Sequence, residues 1–327
     1  MSKNVREKMQ DIRADIQRLS TCSIVQLYAC IKDETISYKK IKLATETQKT
    51  LARQFTEILR KTYLPEKNEI IWVNDWFAGH GYEAKKLRKM FLMLDSADLH
   101  AAVNFSEITE DTWRFSNDET EKIHGLVIKY RIDKDEMWLY QRYSVNKTLA
   151  ASKYLWLFDA DGQDVYKEQK KPSLYVSTNI DVLCVNGVLL SDNIDVLEKD
   201  FGLNEYTRRK AQSVLDEKIK KMKMLVGEDG LAESISKGDL NLCRQIVKSE
   251  KSPVWKIKKE ELVEKVRQIQ AEKNLYADLL ITEDNKFNIS SYKAKRTFMK
   301  LVNDEILMSV LTGITYDVRG VKSEITE

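Results

Sequence analysis

The chain has 327 residues, of which 43% are hydrophobic and 32% charged, and its formal net charge is +3. That length and balance describe a globular protein of two domains or one elaborated domain, and exclude a disordered or fibrous chain. No apolar run approaches the roughly 18 residues of a membrane span. The first residues, MSKNVREKMQDIRADIQRL, are charged throughout where a signal peptide would be apolar. A cytoplasmic location without direct membrane insertion is therefore expected. Cys22, Cys30, Cys184 and Cys243 lie far apart and form no CxxC pair, so they are expected as core thiols, with no metal site and no cofactor.

Residues 1 to 20 place Val5, Met9, Ile12, Ile16 and Leu19 at helical spacing, the pattern of an amphipathic helix. Ser23 to Ile31 and Thr35 to Leu43 read as two strands around a Lys32-Asp33-Glu34 turn, followed by a helix from Thr45 to Lys61 that Pro65 ends. Ile70 to Phe77 reads as an aromatic strand. Glu83 to Asp95 returns to helical periodicity through Leu87, Met90, Phe91 and Leu94. From Gly125 to Gly187 the period becomes two, with a hairpin turning at Asp133 to Glu136, a second at Asp159 to Gly162 and a third at Asn186-Gly187. Beyond Phe201-Gly202 helical stripes return at Tyr206 to Leu225, Asp239 to Lys248, Lys259 to Lys273 and Tyr292 to Val302, with a short hairpin at Ala277 to Ile289. The predicted class is α+β: an antiparallel sheet in the middle of the chain, helices before it and a largely helical C-terminal half. The predicted boundary falls near residue 200, giving an α+β domain over 1 to 200 and a mainly helical one over 201 to 327.

Catalytic signals are sparse. Of the three histidines, His80 sits between glycines beside Asp75 without a placed nucleophile, and His100 and His124 flank no partner. No phosphate loop, dinucleotide fingerprint or HExxH occurs. The best enzymatic candidate is a metal-dependent nuclease in which Asp161 and Glu168, with Asp159 nearby, hold Mg²⁺ against a phosphate and Lys170 positions water. Asp-Ala-Asp-Gly is also an ordinary turn sequence, so the expected answer is that the protein is not an enzyme.

The basic residues carry more. Residues 205 to 327 hold 24 Lys and Arg against 20 Asp and Glu, a balance of +4, while the remainder of the chain is at −1. Arg208, Arg209 and Lys210 open the helix after residue 205, and Lys218, Lys220, Lys221 and Lys223 close it. Lys256, Lys258 and Lys259 flank Trp255. Lys286, Lys293, Lys295, Arg296 and Lys300 occupy an acid-free stretch from 286 to 300. Any one block is an ordinary solvated helix face; converging blocks would neutralise phosphates without reading bases. The candidate DNA contacts are therefore Arg209, Lys220, Lys223, Lys256, Lys258, Lys259, Lys293, Lys295, Arg296 and Lys300. The aromatic middle segment, with Trp138, Tyr140, Tyr143, Trp156 and Phe158, exceeds what one face of a small sheet buries and suggests a homo-oligomer.

The segment Phe298 to Lys322, FMKLVNDEILMSVLTGITYDVRGVK, combines a helix end at Leu301-Val302, a polar break at Asn303-Asp304, an apolar run from Ile306 to Leu311 and a reversal at Gly313 before Tyr316. With Asn303-Asp304, Ser309, Leu311-Thr312-Gly313 and Tyr316 in order, it resembles the C-terminal signature of the KwaB family of the bacterial Kiwa anti-phage system. Residues 173 to 202, SLYVSTNIDVLCVNGVLLSDNIDVLEKDFG, and the order of elements after Tyr206 extend the similarity to roughly residues 120 to 325. The resemblance implies a cytoplasmic effector of phage defence that binds DNA, self-associates as a homodimer or larger, and acts beside the membrane protein KwaA. It brings no catalytic or metal-binding residues, and the signature positions carry over as structural markers only. A sequence-independent DNA binder, a divalent-metal nuclease and a protein scaffold thus stand as the three classes, separated by salt dependence of binding and by Mg²⁺-dependent cleavage.

Overall fold

The computed structural model describes residues 3–19, 25–66, 68–73, 90–99, 103–108, 112–113, 122–132, 135–143, 158–161, 165–168, 176–273, 275–308 and 315–317. By contacts the chain forms two compact units, Met1–Ile70 with Arg88–Gly202, and Ile71–Leu87 with Leu203–Glu327. Among the described residues no helix is long and apolar enough to cross a membrane.

The first unit is built on a mostly antiparallel sheet. Its strands are β1 (Val25–Lys32), β2 (Ile36–Ile41), β3 (Glu69–Trp72), β4 (Met90–Asp95), β5 (Thr112–Trp113), β6 (Ile123–Ile132) and β7 (Asp135–Arg142), joined by β10 (Val182–Val185) and β11 (Val188–Ser191). Across the sheet they stand in the order β3-β4-β11-β10-β7-β6-β1-β2-β5. Register fixes the faces, because side chains alternate along a strand and paired residues share a side. Leu27, Ile128, Leu139, Leu183 and Leu190 line up in one row across five strands, with Val25, Tyr130 and Met137 in the next row on that face. Helices α1 (Lys3–Arg18) and α2 (Thr45–Tyr63) cover this face. Tyr130 donates its hydroxyl to the Ala52 carbonyl of α2 at 2.8 Å, Tyr63 packs on Phe91 at 5.0 Å, and Lys8 pairs with Asp95. The opposite face carries Tyr28, Val127 and Tyr140 in one row, and Lys129, Trp138, Cys184 and Leu189 in another. Phe105 stacks on Trp138 at 5.7 Å and Phe201 meets Tyr140 edge-on at 5.3 Å.

The predicted N-terminal helix, the β1–β2 hairpin and α2 are present. So are the β6–β7 and β10–β11 hairpins. At the latter turn Asn186 (φ 49°) and Gly187 (φ 74°) both take the left-handed conformation of a type I′ turn. Two readings need correction. The expected helix ending at Asp95 is, over Met90–Asp95, a strand with five successive buried residues. Strands buried on both faces lose polar alternation, so the apolar run mimics helical spacing. The hairpin expected to turn at Asp159 to Gly162 is formed by β8 (Phe158–Asp161) and β9 (Val165–Glu168), a separate antiparallel pair, with its turn after Asp161. Of the aromatics noted in the middle segment, Tyr140 and Tyr143 are buried and Trp138 is half-buried. They have two covered sheet faces to fill. Trp156 lies outside the described residues, as do His80, His100, Lys170 and Gly313.

The second unit is mainly helical. Helix α4 (Leu203–Val214), which follows the short α3 (Ile194–Lys199), continues through a π-helical segment, Leu215–Ile219, and a 3-10 turn, Lys220–Met222. The helical run therefore stops short of the expected Leu225, because Lys223 turns left-handed at φ 50°. Leu225 instead enters β12 (Leu225–Val226), which pairs parallel with β14 (Phe287–Asn288), itself antiparallel to β13 (Leu280–Ile281). Helices α5 (Asp229–Ser236), α6 (Leu240–Lys248), α7 (Lys259–Lys273) and α8 (Tyr292–Val302) complete the unit. Strand β15 (Ile306–Met308) pairs antiparallel with β16 (Thr315–Asp317), as the expected reversal near Gly313 requires.

Candidate nucleic-acid interface

Helix α8 carries four cations, Lys293, Lys295, Arg296 and Lys300, and no acidic residue. Ser291 caps it, its Oγ accepting from the Ala294 amide at 3.1 Å, and the chain leaves it through Asn303. Ala294, Phe298, Met299, Leu301 and Val302 are buried, with Phe298 against Phe287 at 6.2 Å. Helical periodicity then turns Tyr292, Lys293 and Arg296 outward, and all three are exposed. The signature pair closes the helix. Asn303 Nδ2 donates to the Gln245 carbonyl at 3.1 Å, Asp304 takes a left-handed φ of 50°, and the buried Glu305 accepts from Lys248 at 2.9 Å. These residues are a corner, the role the sequence assigns them.

The other cations separate into two groups. Lys295 is half-buried and donates Nζ to the Gly230 carbonyl at 2.8 Å and to Ser234 Oγ at 3.3 Å, holding α8 against α5. Lys220 pairs with Asp216 at 2.8 Å and faces Glu228 and Asp229; the carboxylate bond lowers the Asp216 pKa and raises that of Lys220. Both lysines thus converge on the acidic start of α5, a helix the sequence reading did not contain. Lys259 is half-buried, with Nζ 3.5 Å from the Lys223 carbonyl. That contact brings two of the sequence blocks together. Lys223, Lys256, Lys258 and Arg209 are exposed, and Lys300 is half-buried. Lys210 pairs with Glu250 at 2.7 Å and Arg208 with Glu205 at 2.9 Å. The outward cations of α8 are therefore Lys293 and Arg296.

A second constellation, in the first unit, escaped the sequence reading. Asp200 is 1% exposed and accepts from His124 Nε2 at 2.8 Å and from the Tyr140 hydroxyl at 3.1 Å, with Arg142 Nε at 3.6 Å. Arg142 continues to Asp195 at 2.9 Å, whose pKa is lowered first by its hydrogen bond from Lys199. Tyr140 reaches Asp200 because its ring lies over Gly125, where a Cβ would collide with it. The nearby thiol of Cys30 is pushed well up by burial and by the negative Asp200, the reverse of an activated nucleophile. The network holds the end of the first unit onto its sheet. Over the same face lies a cleft of about 930 Å³ lined by Phe105, Trp138, Cys184 and Phe201 with Glu107 and Glu136. Its described lining contains no cation to receive a phosphate.

For the nuclease alternative, the register of β8 and β9 pairs Phe158 with Glu168 and Asp161 with Val165. Asp161 and Glu168 therefore lie three pairs apart, about 10 Å along the hairpin.

Together these features define an α+β protein with a closed apolar core and a cationic helix. The family model described as Kiwa protein KwaB-like matches residues 120–312, more than half of the chain. The chain belongs to this family, the KwaB-like proteins of the bacterial Kiwa anti-phage defence system. Asn303, Asp304, Ser309, Leu311 and Thr312 fall inside the matched span; Gly313 and Tyr316 fall just beyond it. No curated protein and no solved structure matches the chain.

Proposed function

We propose that this chain is a non-enzymatic effector of anti-phage defence that binds DNA without regard to sequence through the C-terminal unit and blocks replication or transcription. The carrying observation is α8, whose exposed Lys293 and Arg296 project from an acid-free stretch of a family member. Exposed lysines and arginines attract the phosphate backbone irrespective of base order, and their contribution falls as salt rises. Lys223, Lys256, Lys258 and Arg209 extend the cationic surface of the same unit. Membership in a Kiwa family supports a membrane partner, KwaA, with the chain acting at the cytoplasmic side. Self-association belongs to the same reading, though the aromatics of the sheet supply no argument for it.

A gel-shift titration of the full chain at two salt concentrations, with and without Mg²⁺, tests the reading. Binding should weaken steeply with salt, vary little with sequence and leave the DNA intact. Lys293→Glu with Arg296→Glu should weaken binding to all sequences alike and lower the log-affinity versus log-salt slope by about two units. Lys295 is left unchanged in this variant, since a carboxylate facing the Gly230 carbonyl would disturb the fold. Mg²⁺-dependent cleavage lost on Glu168→Ala would replace this reading with the nuclease one.

A further inference from the structure

We propose that the surface joining the three-stranded sheet of the second unit to the start of α8 is a stacking platform for single-stranded nucleic acid. This rests on the proposed DNA binding and narrows it. Among the described residues the exposed large hydrophobic side chains are Val226, Leu280 and Tyr292, at 38%, 66% and 55% exposure, and all three belong to this unit. Their placement follows from the strand register. Leu225, Phe287 and Ile281 form one row across β12, β14 and β13, with Phe287 fully buried. The pleat therefore turns the next row, Val226, Asn288 and Leu280, outward. From Asn288 the chain passes through Ser290, packed against Gly227, and two residues later reaches Tyr292. The outward row and the exposed ring are thus joined by one short piece of chain.

The chemistry around the ring selects the occupant. Arg296 sits one helical turn on, its guanidinium carbon 5.9 Å from the Tyr292 ring centroid, and Lys293 is adjacent in sequence. No carboxylate occurs from 286 to 300. An aromatic face flanked by cations suits a base stacked on the ring with its phosphates paired to the flanking charges. A duplex keeps its bases inside the stack and shows phosphates outward, so it can use Lys293 and Arg296 but not Tyr292. Splayed single strands use all three, and the apolar row gives further bases a dry surface.

Fluorescence anisotropy of the full chain with a labelled oligo(dT) strand and with a duplex of equal length tests this. Tyr292→Ala should weaken single-strand binding roughly 10-fold and change duplex binding less than twofold. Tyr292→Phe should bind both as the unaltered chain does. Circular dichroism should show all variants folded, as expected for an exposed position. If Tyr292→Ala leaves single-strand affinity unchanged, or lowers both affinities equally, the platform is refuted while DNA binding stands. If the unaltered chain binds duplex but no single strand, the platform is likewise refuted and the apolar row becomes a protein-docking surface. Failure to bind either nucleic acid overturns both this proposal and the broader one.

Discussion

Gly125 shows how much one missing methyl group can hold. Its backbone leaves room for the Tyr140 ring, and that ring carries a hydroxyl to the buried Asp200, which also receives His124. Gly125→Ala should therefore destabilise the fold by about 2 kcal/mol through overpacking, measured by denaturant unfolding. In a Tyr140→Ala background the same substitution should cost far less, since the two residues share one space. Thiol chemistry gives a second residue-scale expectation. Burial pushes Cys243 up to about 11 and Cys184 up to about 12, and raises Cys30 further. In a Cys22→Ser variant at pH 8, a thiol reagent such as DTNB should find no fast-reacting site until denaturant is added. A rapid stoichiometric reaction in the native state would show that at least one of these thiols is open.

Single elements vary in how openly the sequence declares them. Helix α8 was legible to the residue through its apolar spacing and the stop at Asn303-Asp304, and the structure adds Ser291 as its cap. Ser291→Ala should lower stability by about 1 kcal/mol. The Asn186-Gly187 turn was equally legible, and Gly187→Ala, forcing a Cβ into a φ of +74°, should cost about 1 kcal/mol or more, read as a shift in unfolding midpoint. Strand β4 was not legible, since MFLMLD offers apolar spacing that fits a helix as well as a fully buried strand, and only its place between β3 and β11 decides. The Asp200 network was hidden for another reason: its partners lie 76 and 60 positions away in the chain. The cationic block was half legible. Charge was visible, but the engagement of Lys220 and Lys295 with the start of α5 depends on a helix that the sequence reading missed.

For the molecule as a whole, the interior of the first unit sets its tolerance of alkali. Burial raises Tyr63, Tyr130 and Tyr140 above the ordinary phenol value of about 10, and Cys30 and Cys184 above the ordinary thiol value of about 8.5. Below those ordinary values both folded and unfolded chains keep these protons, so stability should not depend on them. Above them the unfolded chain loses protons that the folded one retains, so stability must fall as pH rises. A melting temperature that declines from about pH 8.5 upward, and more steeply past pH 10, is the expected profile. Tyr130→Phe should flatten it.

The order of strands also has a temporal side. Strand β1 finds its inner neighbour only in β6, with Val25 opposite Tyr130. On a ribosome adding roughly 5 to 20 residues per second, β1 and its hairpin partner β2 would wait on the order of 5 to 20 s for that neighbour to be made. During that interval the sequence VQLYACI presents an open, apolar edge of the kind that pairs with any other strand. On the far side β2 offers Lys39 and Lys40, charges that discourage such pairing. A newborn chain is therefore most vulnerable to misassembly while its first third is complete and its middle is still unwritten. Expression at lower temperature, or with added holding chaperones, should raise the soluble yield more than any change to the finished surface.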